Sequence, residues 1–262
     1  MRFQILTLNI ANPSAARAER QLTWLSERSE HALVLTETSQ GAGTRLLLDR
    51  LAKAGWDVRA SASEGRERGV AIAVRVQATP RERDIVNFLP ARAELVALER
   101  LDIVGLYVPS RDESREKIER KRRFCDALSG FLAERPPGDA VVIGDLNVLE
   151  PDHYPHHGMF RDWEYQLYHE FLEHGFVDAY RLHHPNEIDH SWVDYENRGY
   201  RFDHAFVTQP LANAVRRCDY IHATRESDLS DHSALVLELD LPHPLAELDT
   251  SESLTVEPLS LF

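Results

Sequence analysis

The feature that most constrains this chain is its rhythm: short apolar, β-rich runs alternate with helical patterns from the first residues to about residue 241. Phe3 to Asn9 reads as a buried strand, followed by a helix from about Ser14 to Ser29. Ala32 to Leu35 reads as a second strand and Thr44 to Ala54 as a second helix. Val70 to Val76, Glu94 to Leu98 and Asp102 to Val108 are three more strands. Ser114 to Glu134 reads as a long helix stopped at Pro136-Pro137, and Ala140 to Ile143 as a core strand. Trp163 to His174 is a helix ending at Gly175, and Arg201 to Val207 and Ser233 to Leu241 are late strands. Mixed elements with neither a repeat nor a long linker predict one α/β domain over 1–241. The remaining residues, 242–262, carry Glu247, Asp249, Glu252 and Glu257 and no Lys or Arg, and read as a flexible acidic tail.

Composition narrows the function classes. No apolar run approaches the roughly 20 residues of a membrane-spanning helix. The start, Met1-Arg2-Phe3-Gln4-Ile5, goes straight into a strand pattern without a signal-peptide layout. Two cysteines, Cys125 and Cys218, cannot build a disulfide framework. A cytoplasmic protein is therefore expected. The net charge of −13 argues against nucleic-acid binding through an overall basic field, so any such contact must come from local patches.

The predicted strands end in polar residues suited to metal or phosphate chemistry: Asn9, Glu37, Tyr107, Asp145 with Asn147, Asp203, and Asp231 with His232. Strand ends of an α/β fold converge on one rim, so these residues can share a site. Taken singly each has a plain reading: Asn9 as a helix cap, Glu37 as a solvated acid, Gly144-Asp145-Leu146-Asn147 as a turn. Taken together they make an oxygen-rich set suited to Mg²⁺ or Mn²⁺, with Asp145 able to act on a water and Asp203 able to fix the His232 tautomer.

The order of the motifs resembles the endonuclease/exonuclease/phosphatase superfamily, and within it the exonuclease III-type apurinic/apyrimidinic endonucleases. The matching segments include Leu8-Asn9-Ile10, Leu35-Thr36-Glu37-Thr38, Gly105-Leu106-Tyr107-Val108-Pro109 and Gly144-Asp145-Leu146-Asn147. Gly175-Phe176-Val177-Asp178, Ser191-Trp192, Tyr200-Arg201-Phe202-Asp203-His204 and Ser230-Asp231-His232 complete them. The resemblance implies a four-layer α/β sandwich of two packed sheets flanked by helices. It implies a divalent metal surrounded by Asn9, Glu37, Asp145, Asn147 and Asp231. It further implies Asp145 as activator of water, Tyr107 and His232 as holders of the scissile phosphate, and Asp203 as orienter of His232. Tyr107 with Pro109 matches the DNA-repair branch rather than the phosphatase branch, which implies an exonuclease III-like 3′–5′ exonuclease or abasic-site endonuclease acting on DNA. Trp192, Tyr200 and Phe202 are candidates for a pocket around an unpaired deoxyribose, with an aromatic core as the alternative.

Some positions depart from the pattern. Thr36 replaces the usual Gln, Ala11 replaces a common second polar residue, and His190 replaces a frequent aromatic. The loop from Pro151 to Arg161, with His153, His156 and His157, does not match. Arg59, Arg66 and Arg68 are candidate phosphate contacts, as is Arg111, whereas the Arg120–Arg123 run alternates with acids and reads mostly as a solvated helix face. The chain ends Pro258-Leu259-Ser260-Leu261-Phe262, which resembles the peptide by which bacterial replication and repair proteins dock on the DNA sliding clamp. Pro258 stands there for the usual Gln, and Leu259, Leu261 and Phe262 would be the anchors. Two alternatives remain: a superfamily hydrolase acting on RNA or a small phosphate ester, and a catalytically weak DNA- or clamp-binding protein.

Overall fold

The computed structural model of the chain describes residues 1–61, 65–80, 85–135, 137–250 and 254. Its first half lays down β1 (Arg2–Asn9), α1 (Ala15–Ser26), β2 (Ala32–Thr38), α2 (Ala42–Lys53), β3 (Asp57–Ala60), β4 (Gly69–Val74), β5 (Ala93–Ala97) and β6 (Asp102–Tyr107). The second half adds α3 (Arg115–Glu134), β7 (Ala140–Asp145), α4 (Asp162–Glu173), β8 (Phe176–Asp178), α5 (Ala179–His183), β9 (Trp192–Val193), β10 (Gly199–Tyr200), β11 (Asp203–Thr208), β12 (Val215–Ile221), α6 (Ala223–Glu226) and β13 (Ala234–Asp240).

Three apolar clusters explain how these elements stack. Phe3, Ile5, Val34, Ile72, Ile103 and Ile143 belong to a core that joins the two large sheets. Leu8, Leu22, Leu25, Leu35, Leu47 and Leu51 bury α1 and α2 against the outer face of the first sheet. Phe124, Leu128, Leu132, Phe171 and Phe206 do the same for α3 and α4 on the second. The result is the four-layer α/β sandwich expected from the sequence. The first sheet runs β12-β13-β1-β2-β4-β3 and the second β5-β6-β7-β11-β8. Strands buried on both faces read as unbroken apolar runs, as in Val141-Val142-Ile143.

Register sets the site. β6 and β7 are parallel with Tyr107 opposite Asp145, and β11 is antiparallel to β7 with Asp203 opposite Asp145. β1 and β2 are parallel with Asn9 opposite Thr36. The functional residues therefore leave their strands at one rim. Gly144, at φ +148°, permits this: a Cβ there would lie 2.1 Å from the Leu106 carbonyl oxygen.

The expected loose tail differs in its first part. Gln77 N–H donates to the Ala246 carbonyl (2.7 Å) and Leu248 N–H to the Arg75 carbonyl (2.8 Å). Leu254 is buried in the α1–α2 cluster. Apolar Leu245, Leu248 and Leu254 return the acidic segment to the domain because burying them offsets the cost of ordering it. The clamp-like Leu259, Leu261 and Phe262 lie outside the described residues.

Candidate active site

A cavity of about 400 Å³ opens at this rim, lined in part by Glu37, Tyr107, Asp145, Asn147, Asp231 and His232. The local backbone explains the convergence. A bulge between Thr36 and Thr38 puts Glu37 at φ +59°, an uncommon conformation for a residue with a side chain, and breaks the alternation of β2 at the residue that faces the cavity. Asn147, at φ +48°, is a residue type that tolerates this region, and its N–H closes a turn onto Asp145 Oδ1 (3.0 Å). Lys121, fully buried on α3, donates to the Asn147 carbonyl (2.6 Å) and to Glu164 (2.6 Å), and so pins the turn from beneath.

Asp145 is 1% exposed and accepts Asn9 Nδ2 at 3.0 Å. Burial pushes its carboxyl pKa up; His232 and Asn9 oppose the rise, while the carboxylates of Asp203 and Glu37 add to it. His232 lies with Nε2 4.0 Å from Asp145 and Nδ1 2.7 Å from Asp203. Burial alone would lower the imidazole pKa, but the Asp203 carboxylate, with Asp145 and Asp231 behind it, raises it well above the ordinary value. The shift favours the charged imidazole, with Nδ1 held against Asp203 and Nε2 turned to the cavity side. Two further contacts fix this corner. Ser230 Oγ donates to the Asn9 carbonyl and accepts the His232 N–H, and Gln21 on α1 ties the Ile10 and Leu229 carbonyls together.

Two of these residues have specific partners. Asn9 turns its amide nitrogen toward Asp145, while its oxygen accepts the Ala11 N–H at 2.8 Å; its visible work is to hold Asp145 rather than to offer an oxygen ligand. Tyr107 lines the cavity and donates its hydroxyl to Glu37 Oε1 at 2.6 Å. Burial, with Glu37 and Asp145 nearby, raises the phenol pKa beyond the ordinary range. Arg92, which the sequence reading missed, stacks 4.4 Å over the Tyr107 ring and is itself held by Glu67.

Aromatic side chains line the same cavity. Trp192 and Phe202 approach at 5.9 Å, and Tyr200 and Phe202 stack at 5.1 Å. Trp192 also donates to Asp231 (3.2 Å), which links the aromatic wall to the acidic groups. Tyr200 is only 3% exposed, so it supports the wall more than it faces the cavity. Phe160, from the unmatched histidine loop, joins the wall 6.0 Å from Phe202.

Of the four candidate arginines only Arg111 lines this cavity. Its guanidinium is engaged by Glu164, Glu113 and the Met159 carbonyl. Arg59 pairs with Asp57 and lines a separate cavity between the sheet edges. Arg66 is exposed and Arg68 half-buried, and neither lines the site. Among the described residues no three His, Cys, Asp or Glu side chains form a ready metal cluster, and His153 and His157 are spent on the Gly199 carbonyl.

The sequence matches the profile of the Endonuclease/Exonuclease/phosphatase family over residues 6–232. The chain belongs to this family. A curated relative, an exodeoxyribonuclease of Bacillus subtilis (strain 168), is 26% identical over 167 residues, which are 57% of this chain and 64% of that protein. Thus the match spans a little under two thirds of the relative's length. Among solved structures, an AP endonuclease from Archaeoglobus fulgidus superposes with a TM-score of 0.78 at 27% identity, covering 91% of this chain and 100% of the other. A 3′–5′ exonuclease from Neisseria meningitidis superposes with the same score and coverage at 24% identity, which establishes the shared fold. The family and the sandwich expected from the motifs are thereby borne out. No helix among the described residues is long and apolar enough to cross a membrane.

Proposed function

We propose that this protein is a divalent-metal-dependent phosphodiesterase that cuts DNA at abasic sites or trims 3′ ends in repair. The observation that carries the reading is one cavity lined by two unlike kinds of group. Carboxylates and the His232 imidazole line it together with Trp192, Phe202 and Phe160, as a charged phosphate next to an unpaired sugar or base requires. The names of the relatives, an exodeoxyribonuclease and an AP endonuclease, support the choice of DNA.

The donor set fits Mg²⁺ or Mn²⁺. Glu37, Asp145 and Asp231 line one cavity, and the carboxylate charge that adds to burial in raising the Asp145 pKa is charge a cation would neutralise. Too few carboxylates stand together for an all-protein cage, and Mg²⁺ is held by one or two carboxylates with water and substrate phosphate. Glu37 and Asp231 would be its main ligands, with Asn147 at the edge. Bound there, the cation would neutralise charge on the phosphate and stabilise the departing 3′ alkoxide.

The chain's own groups supply the rest. Asp145, fixed by Asn9 and the Asn147 N–H, is placed to orient a water and take its proton as it attacks phosphorus. The His232 cation donates from Nε2 to a phosphate oxygen and strengthens that hydrogen bond as charge builds. Asp203 holds the ring in that protonation state. Tyr107 keeps Glu37 in place through its phenol. The clamp-like C-terminus adds a second contact by which the enzyme would be recruited to DNA under replication.

The test is cleavage of three labelled duplexes in Mg²⁺: intact, with a recessed 3′ end, and with one abasic analogue. The account expects cutting of the second or third over the first. Equal indifference to all three, with cutting of RNA or a small phosphate ester instead, would replace the substrate.

A further inference from the structure

The loop 151–161, which family resemblance leaves unexplained, closes one end of the cavity. Met159 and Phe160 line it directly. Behind them, buried His157 lies flat on Tyr200, with ring centroids 3.9 Å apart and planes 14° apart, and donates from Nε2 to the Gly199 carbonyl at 2.9 Å. His153 donates to the same carbonyl at 3.2 Å. From the other side His190 fills the space a side chain at Gly199 would need, a Cβ there lying 2.1 Å from its Nδ1. Three imidazoles thus clamp the two-residue strand β10, and Tyr200 is sandwiched between His157 and Phe202.

This arrangement does more than a bare sugar needs. Trp192, Phe202 and Phe160 are among the residues that line the cavity, and about 400 Å³ is within the range that holds a whole small ligand. Aromatic side chains beside such a space, with Phe160 6.0 Å from Phe202, suit an unstacked base, which proteins hold between aromatic and apolar side chains. We propose that loop 151–161 makes the cavity a pocket for a whole unpaired nucleotide, with Phe160 contacting its base and His157 acting as a positioning residue that braces Tyr200 and, through it, Phe202. The proposal rests on the reading that the cleaved phosphate lies at Asp145.

Two measurements test it. The first compares kcat/KM on recessed duplexes whose 3′-terminal residue is either a mismatched nucleotide or an abasic sugar. Phe160→Ala is expected to lower the nucleotide value roughly five- to hundredfold, the span that base–aromatic stacking covers, and the sugar value far less. His157→Ala should shift the ratio the same way. His157→Phe, which keeps the stack on Tyr200, should restore it, whereas His157→Gln, which keeps only the hydrogen bond, should not. Equal losses on both substrates from Phe160→Ala, or His157→Phe no better than His157→Ala, would overturn the proposal. The second measurement needs no cleavage: an unpaired 3′-terminal 2-aminopurine, bound in EDTA, should be quenched by the wild type and much less by Phe160→Ala at saturating protein. Equal quenching by both would refute the pocket even in an active enzyme. Quenching with no metal-dependent cutting would instead refute the catalytic reading and leave the pocket standing.

Discussion

Replacing Arg201 with Met should destabilise the protein more than almost any other single change, and in a manner that depends on pH. Arg201 is fully buried. Its guanidinium donates to both oxygens of Glu150 (3.0 and 2.8 Å) and to Asp178. Burial works against the ionisation of Glu150, but Arg181 and Arg201 outweigh it and hold the carboxyl at about 2 against 4.5. That depression corresponds to about 3 kcal/mol, shared between the two arginines. Burial likewise opposes Asp178, and Arg201 with His204 drives its carboxyl far below the usual range. Removing one partner of a buried ion pair costs roughly 3–5 kcal/mol, because the other charge is left stranded. At about 2–4 °C per kcal/mol, the melting temperature at pH 7 should fall by roughly 6–20 °C. The sign with pH follows from depressed carboxyl pKa values. The stabilisation is complete above about 4.5 and drains away as pH falls toward 2, so the deficit of the variant should narrow across that window. Calorimetry of both proteins at pH 7, 5 and 3.5 measures this. A deficit below about 1 kcal/mol at pH 7, or one that does not shrink on acidification, would refute the reasoning.

Asp203→Asn should cut kcat/KM at least a hundredfold, since the His232 imidazole loses the carboxylate that keeps it charged; NMR titration should show its pKa falling. Gly144→Ala should lower stability by several kcal/mol, or prevent folding, because its Cβ would meet the Leu106 carbonyl at 2.1 Å; soluble yield and thermal unfolding report this. Leu254→Ala should cost about 2–3 kcal/mol, while deleting 258–262 should leave the melting temperature unchanged and abolish any affinity for a sliding clamp; an unchanged Leu254→Ala would detach the tail from the fold. Burial holds His153 at about 4, below its usual 6.5, so stability should also fall as pH drops from 6.5 toward 4; a His153→Phe variant should lose that part of the slope.

Much of this architecture is legible in the sequence because long apolar runs report burial directly. The strands from β1 to β7 that carry Asn9, Glu37, Tyr107 and Asp145 belong to that class. Short or charged edges are silent: β12, with Val215-Arg216-Arg217-Cys218-Asp219, hides its pairing behind exposed arginines, and β3 is four residues long. Polar residues that face inward mislead in the opposite direction. Lys121 belongs to a run of four cations read as a solvated face, yet Phe124 and Leu128, three and seven residues on, share its buried side. That spacing was the available signal. Arg111 reads as a phosphate contact because nothing local reveals Glu164, 53 residues away, as its partner. Likewise the side chains of Asn9 and Tyr107 are located correctly by motif, but what their polar atoms touch depends on register between strands.

The central claim is that Asp145 and a divalent cation act together on a phosphodiester bond. The most direct measurement is single-turnover cleavage of one labelled abasic duplex by wild type and Asp145→Asn, each in Mg²⁺ and in EDTA. The account predicts rapid cutting only by wild type in Mg²⁺, with at least a hundredfold loss in the variant while duplex binding is retained. Comparable cutting by Asp145→Asn, or by wild type in EDTA, would contradict it.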